Sequence, residues 1–229
     1  MITTALLDAG GVILDESEHE RVRIKIAVRL LGGVVPHYTE AMLRDDIDRA
    51  IEVFCPRILA YAFWKRVRPD LALFERLYGA FLAEWSERRP GLVLMPGFKK
   101  EVGEISRRLR VGIAGQYGRD LLDLLAREDI LDHFTYRFTQ DDFGITKPDP
   151  RYLEQIARAC GVKPEECIMV GDRIDNDIIP AKQVGMKTVL VRWGLHRKQA
   201  PRIPGEVPDE VLTGITGLAD AVARLADIE

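Results

Sequence analysis

A chain of 229 residues can hold one large domain or a core with an insert, and its 47% hydrophobic content is that of a globular protein with a real core. The formal net charge of −3 argues against a nucleic-acid or anionic-membrane surface. No apolar run approaches the roughly 20 residues of a membrane span. Cys55, Cys160 and Cys167 are too scattered for a disulfide framework or a zinc knuckle and read as small apolar residues in a reduced compartment. With no basic leader ahead of the first strand, the expectation is a cytoplasmic protein with neither nucleic-acid nor membrane partners.

Ala5 to Leu7 is a short apolar run, read as a buried strand, that ends on Asp8 and the pair Gly10-Gly11. From Glu18 to Trp85 only helical spacing appears. Glu20 to Leu31 is amphipathic, Leu43, Ile47, Ile51 and Phe54 recur on one face, and Ile58 to Val67 is rich in aromatics. Phe74, Leu77, Tyr78, Phe81, Leu82 and Trp85 form a stripe that Asp70 can cap, read as helix–helix core. Arg88-Arg89-Pro90-Gly91 marks a boundary. The α/β pattern then resumes, with a helix opened by Pro96-Gly97, a strand over Val111 to Ala114 that ends in Gly115-Gln116, and a leucine-rich helix to Ala126. A weaker strand is expected over Tyr136 to Thr139, and a helix from Asp149-Pro150 to Cys160. Next come a strand over Ile168 to Val170 that ends in Gly171-Asp172, a helix over Asn176 to Val184, and a strand over Thr188 to Val191. Arg192 to Asp209 is irregular, Val211-Leu212 can add a strand, and Thr216 can cap a last helix. The pattern predicts a Rossmann-like α/β core with a mostly parallel sheet, interrupted by an all-helical insert. The core is expected over residues 1–15 and 91–229 and the insert over 16–90.

Four polar stretches should meet at one edge of that sheet: Asp8, then Gly115-Gln116, then Lys147 in Gly-Ile-Thr-Lys-Pro-Asp-Pro, then Asp172 and Asp177. Several carboxylates in one site stay ionised only if a cation sits among them, and oxygen-only ligands point to Mg²⁺. A lysine beside them partly neutralises the carboxylates and can hold an anionic substrate such as a phosphate. Asp8 can then attack phosphorus and form an aspartyl-phosphate.

The order and spacing of these motifs resemble the haloacid dehalogenase (HAD) superfamily of hydrolases over essentially the whole chain. The strongest matches are Gly144-x-x-Lys147-Pro-Asp-Pro and Val170-Gly171-Asp172-x-x-x-x-Asp177, followed by Gly185-Met186-Lys187-Thr188. The resemblance implies a helical cap of the C1 type, with Asp8 as nucleophile and metal ligand and the Gly10 carbonyl as a second ligand. It further implies Asp172 as metal ligand, Asp177 as direct or water-mediated support, and Lys147 as anchor of phosphate and nucleophile. The implied activity is Mg²⁺-dependent hydrolysis of a small phosphorylated metabolite by a monomer or homodimer.

Two positions depart from the family pattern. The family's phosphatases usually carry an acid–base Asp two residues after the nucleophile, where this chain has Gly10. The second motif usually ends in Ser or Thr, where this chain has Ala114 and Gly115, which leaves Gln116 or the backbone N–H groups of Gly115 and Gln116 as the candidates to bind substrate instead. Loss of the acid implies slow turnover on poor leaving groups. The departures keep two rivals in view, a metal-independent haloacid dehalogenase and a degenerate domain that binds without turnover. His19 in the hinge is a weaker candidate for a substitute acid. Asp175, Arg173 and His196 flank the expected site, with Asp175 a possible third acidic ligand.

Overall fold

The computed structural model describes residues 1–227. In chain order its main elements are β1 (Thr4–Leu7), α1 (Ser17–Gly32), α2 (Glu40–Glu52), α3 (Ile58–Val67), α4 (Leu71–Arg88), α5 (Phe98–Ser106), β2 (Arg110–Ile113), α6 (Arg119–Arg127), α7 (Pro150–Ala159), β3 (Cys167–Gly171), α8 (Ile179–Gln183), β4 (Lys187–Val191), β5 (Glu210–Leu212) and α9 (Leu218–Ala226). The chain divides into two compact units, Met1–Glu16 with Leu92–Glu229, and Ser17–Gly91.

In the α/β unit the five strands are all parallel, in the order β2-β1-β3-β4-β5. Their near-continuous apolar sequence follows from burial on both faces. Ala5 and Leu7 point to one face with Val111, Ile113, Ile168 and Val170, packed against residues of α5, α6 and α9 such as Phe98, Leu124 and Val222. Leu6 and Met169 point to the other, against Tyr152, Leu153 and Ile156 of α7 and Ala181 of α8. Strand alternation thus assigns each residue to one of two cores. The order also makes a switch point: the chain leaves β1 toward β2 on one side and returns to β3 on the other. Crevices of this kind, outside the carboxyl ends of the strands, are where ligands collect.

Three sequence expectations are corrected. Tyr136 to Thr139 forms no strand but a single bridge, Tyr136 to Gly112. Tyr136 alone pairs, its N–H donating to Val111 O at 3.1 Å and its carbonyl accepting from Ile113 N at 3.0 Å, and the chain then enters a local turn in which the Asp142 carboxylate accepts from Thr139 N at 2.6 Å. Asn176 to Val184 is not one α-helix; Ile174–Ile178 is a wide π-turn that runs into the short α8. Pro180, within that stretch, has no N–H with which to close a regular turn. Thr216 does not cap α9. The N-cap is Gly217, at φ 85°, and the capping acceptor comes from far away: the buried Glu101 carboxylate of α5 accepts from Gly217 N at 3.2 Å and Ala219 N at 2.9 Å.

The helical unit is a four-helix cluster whose aromatic stripe is core on one side. Phe63 meets Tyr78 and Phe81 with ring centroids 5.8 and 5.6 Å apart, whereas Leu82, in the same stripe, is exposed. Asp70 caps α4 by accepting from Leu73 N at 2.9 Å. A fully buried Asp46 on α2 accepts from Lys65 at 2.6 Å and from Arg66 Nη2 at 2.8 Å on α3, and from the Tyr38 hydroxyl at 3.2 Å. Among the described residues no helix is long and apolar enough to cross a membrane, and the three cysteines are free thiols.

The Glu101 bonds yield a stability prediction. Glu101→Ala leaves the half-buried N-cap amide of Gly217 and the buried Ala219 amide without their acceptor and should cost about 1–3 kcal/mol in urea unfolding. Glu104→Ala, which loses only a Lys100 contact of 3.9 Å on the surface, should be within about 0.5 kcal/mol of the parent.

Candidate active site

Asp8 directly follows β1 and its amide donates to the Val170 carbonyl at 2.8 Å, so the first residue beyond the strand is still held by the sheet. Asp172 directly follows β3, the neighbour of β1 across the switch point. The loop after β1 reaches Asp172 because of Gly11, which sits at φ 69° and whose added Cβ would lie 2.8 Å from the Asp172 side chain. The left-handed residue of the Gly10-Gly11 pair is therefore Gly11, not Gly10. Gly171 is equally constrained, since a Cβ there would lie 2.4 Å from the Asp177 side chain.

Lys147 lies between the ends of these elements. Its Nζ donates to Asp8 Oδ1 at 2.7 Å and to Asp177 Oδ1 at 2.6 Å, with the lysine side chain only 1% exposed. Burial alone would lower the lysine, but the charges of Asp177 and Asp8 outweigh it and hold it above its ordinary value. Asp177 has both oxygens engaged, the second accepting from Arg173 N at 3.1 Å. Burial raises Asp177 to about 6 despite the opposing pull of Lys147. Among the described residues no donor reaches the second oxygen of Asp8 or either oxygen of Asp172. Burial, then the charges of Asp177 and Asp8, push Asp172 well above the usual carboxylate range.

Asp8, Asp172 and Asp177 each present one oxygen within 4.8 Å of the others, and they form the one group of potential metal ligands among the described residues. Three carboxylates against the single ammonium of Lys147 leave two negative charges, the charge of one divalent cation. The donor set is all oxygen. The residues therefore fit a hard cation such as Mg²⁺. Gly10 lies in the same loop, bridged to Leu14. Asp175 is not part of this group, because Arg173 and Gln199 hold its two oxygens.

Gly115 lies beside the loop after β1 and is packed against Ala9, where an added Cβ would come 2.5 Å from Ala9 Cβ and 2.7 Å from Ala9 N. The backbone of the second motif thus approaches the loop after β1 more closely than any side chain allows. Ala114 points into the second core and Gln116 follows half-buried at the strand end. The Tyr152 hydroxyl, raised to about 12 by burial, donates to the Gly115 carbonyl at 3.4 Å. His19 belongs to the helical unit, with Nε2 2.9 Å from the Pro90 carbonyl and its ring edge-on to Trp85. The structure also adds Gln199, buried in the irregular segment, whose Oε1 accepts from Ile174 N at 2.6 Å and whose Nε2 donates to Asp175 at 2.7 Å. No pattern in the sequence singles it out.

A family model described as HAD-hydrolase-like matches residues 144–218, the stretch that runs from the Lys147 motif through the Asp172 loop. The chain is 30% identical over 192 residues to a phosphoglycolate phosphatase of Mesorhizobium japonicum, covering 82% of this chain and 79% of that protein. The chain belongs to the HAD-like hydrolase superfamily. Another member, a glyceraldehyde 3-phosphate phosphatase of Methanopyrus kandleri, is 29% identical over 97% of this chain and 87% of its own length. The fold matches that of a HAD hydrolase from Bacillus subtilis solved with magnesium bound, at a TM-score of 0.60 and 19% identity, over 99% of both chains.

Within this HAD hydrolase the Gly115 contact gives a second prediction. Gly115→Ser restores the hydroxyl usual in the family but drives a Cβ into Ala9. It should destabilise by about 1–3 kcal/mol and leave hydrolysis no faster. Gly144→Ala, with open space around its Cβ, should melt within a few degrees of the parent.

Proposed function

We propose that this hydrolase is a Mg²⁺-dependent phosphatase of small phosphorylated metabolites that works through an aspartyl-phosphate on Asp8. One observation carries the reading: Asp8 keeps one oxygen fixed on a buried lysine, while its other oxygen and the whole Asp172 carboxylate accept nothing from the described protein. A carboxylate oriented by one oxygen and unencumbered at the other is a nucleophile in waiting.

In the proposed reaction the second oxygen of Asp8 attacks phosphorus as the bond to the ester oxygen breaks. Water then attacks the phosphorus, and inorganic phosphate leaves with Asp8 restored. Lys147 fixes the attacking carboxylate and balances charge as phosphoryl oxygens approach. Asp177 holds Lys147 through Oδ1 and the Asp172 loop through the Arg173 amide. Backbone N–H groups of Gly115 and Gln116 replace the missing hydroxyl as phosphate donors. Asp8, the Gly10 carbonyl and Asp172 would hold Mg²⁺, with Asp177 behind them, and the ion would neutralise phosphoryl charge. The helical unit is assigned the role of a cap that selects substrates. The relatives' names favour short phosphorylated acids and aldehydes.

The unpartnered Asp172 beside Asp8 offers a cation a second carboxylate, which favours this reading over a metal-independent dehalogenase. With 4-nitrophenyl phosphate and a panel of two- and three-carbon phosphates, phosphate release should require Mg²⁺ and be abolished by EDTA. Asp8→Asn should lower kcat by about 10³-fold or more while melting as the parent does. Chloride release from 2-chloropropionate without Mg²⁺, and no phosphate release with it, would overturn the assignment.

A further inference from the structure

The position usually occupied by the family's acid is Gly10, yet the space that its side chain would fill is not empty. A Cβ on Gly10 would lie 2.8 Å from Glu16 Oε2 and 3.3 Å from Glu16 Cδ. The backbone at Gly10 is outside the left-handed region, so the direction of that Cβ is one that an ordinary residue would take. A carboxylate therefore stands where a residue-10 side chain would project, but it is delivered by a residue six positions later in the chain.

Local structure explains how it gets there. The loop after β1 closes tightly on itself: Ile13 N and Leu14 N both donate to the Ala9 carbonyl, at 3.0 and 2.8 Å, and Gly11 N donates to Leu14 O at 3.1 Å. Asp15 N and Met95 N tie the same loop to Val93 O and Ile13 O, at 3.0 and 2.8 Å. These bonds carry the chain back over Gly10 as it reaches Glu16, the last residue of the first segment of the α/β unit. The carboxylate is then held by a second element. The Tyr117 hydroxyl, from the loop after β2, donates to Glu16 Oε1 at 3.0 Å. Tyr117 Oη would itself be 3.8 Å from a Gly10 Cβ.

We infer that Glu16 supplies the acid–base function that Gly10 lacks, with Tyr117 as its positioning residue. The inference rests on the phosphatase reading given above. As Asp8 attacks phosphorus, the P–O bond to the leaving group breaks and its electron pair stays on the departing oxygen. Protonated Glu16 gives its proton to that oxygen, releasing the alcohol and leaving Glu16 as carboxylate. That carboxylate then takes a proton from the water that attacks the aspartyl-phosphate. The Asp8–phosphorus bond breaks with its electrons on Asp8, phosphate departs, and Glu16 is again protonated for the next cycle.

Leaving groups separate this role from a structural one. An alkoxide needs the proton, and a 4-nitrophenolate scarcely does. Glu16→Gln keeps an acceptor for Tyr117 but cannot deliver the proton. With Mg²⁺ present it should lower kcat on ethyl phosphate by about 10²-fold or more, and on 4-nitrophenyl phosphate by less than about fivefold. Tyr117→Phe should shift the same ratio in the same direction by about fivefold. Gly10→Asp combined with Glu16→Ala, which clears the space and returns a carboxylate to residue 10, should recover ethyl phosphate turnover relative to Glu16→Ala alone. Equal losses on both esters, or no loss on either in a variant that melts as the parent does, would overturn the role of Glu16 while leaving the phosphatase standing. If Glu16→Gln fails to fold, the Tyr117→Phe ratio decides, and an unchanged ratio overturns the inference. A parent enzyme that hydrolyses neither ester with Mg²⁺ refutes the phosphatase reading and this inference with it.

Discussion

The α/β unit is organised around a buried ammonium shared by two carboxylates. Lys147 meets Asp8 and Asp177 at 2.7 and 2.6 Å, and these three groups come from the first strand end, the Lys147 motif and the loop after β3. Burying such charges carries a desolvation cost that only close pairing offsets. The pairing therefore dictates what surrounds it. Gly171 must lack a side chain for Asp177 to stand where it does, and Gly11 must turn left-handed beside Asp172. The Arg173 amide pins Asp177, while the Arg173 side chain and Gln199 draw Asp175 away into a separate contact.

The sheet order makes this arrangement possible. With β1 and β3 adjacent and parallel, Leu7 pairs with Val170, so Asp8 emerges beside the end of β3, and Asp172 follows one residue beyond that strand. The side chains of alternate residues are locked into two separate cores, so neither strand can slip without moving its apolar set to the wrong face. Rigid strands hold the charged ends, and the loops between them need only close over short distances. The result is a cluster whose three carboxylates exceed its one ammonium by two charges, an imbalance suited to a divalent cation and an anionic substrate.

Much of this was legible in the sequence because strand-terminal aspartates after apolar runs carry their own geometric meaning. Asp8 and Asp172 were readable in that way, Lys147 and Asp177 through the motifs that carry the family resemblance, and the alternation of strands and helices through hydrophobic periodicity. What escaped depended on contacts between segments remote in sequence or on competition within a turn. Glu16 belongs to no motif in the sequence and gains its place only where the loop folds back over Gly10. Tyr117 has no visible purpose until it meets Glu16. Gln199 lies in a stretch without periodicity, and the acceptor for α9 is Glu101, more than a hundred residues away. The Tyr136 segment has strand composition, but only Tyr136 pairs before Thr139 and Asp142 close a local turn.

The most direct test of the account is to quench turnover in acid and look for the covalent intermediate. The protein would be mixed with Mg²⁺ and an excess of 4-nitrophenyl phosphate, quenched within a turnover, digested and analysed by mass spectrometry. The account predicts the mass of one phosphoryl group on the peptide that contains Asp8, and its absence in Asp8→Asn. Phosphate release at full rate with that peptide unmodified throughout, or with the phosphoryl group on another residue, would contradict it.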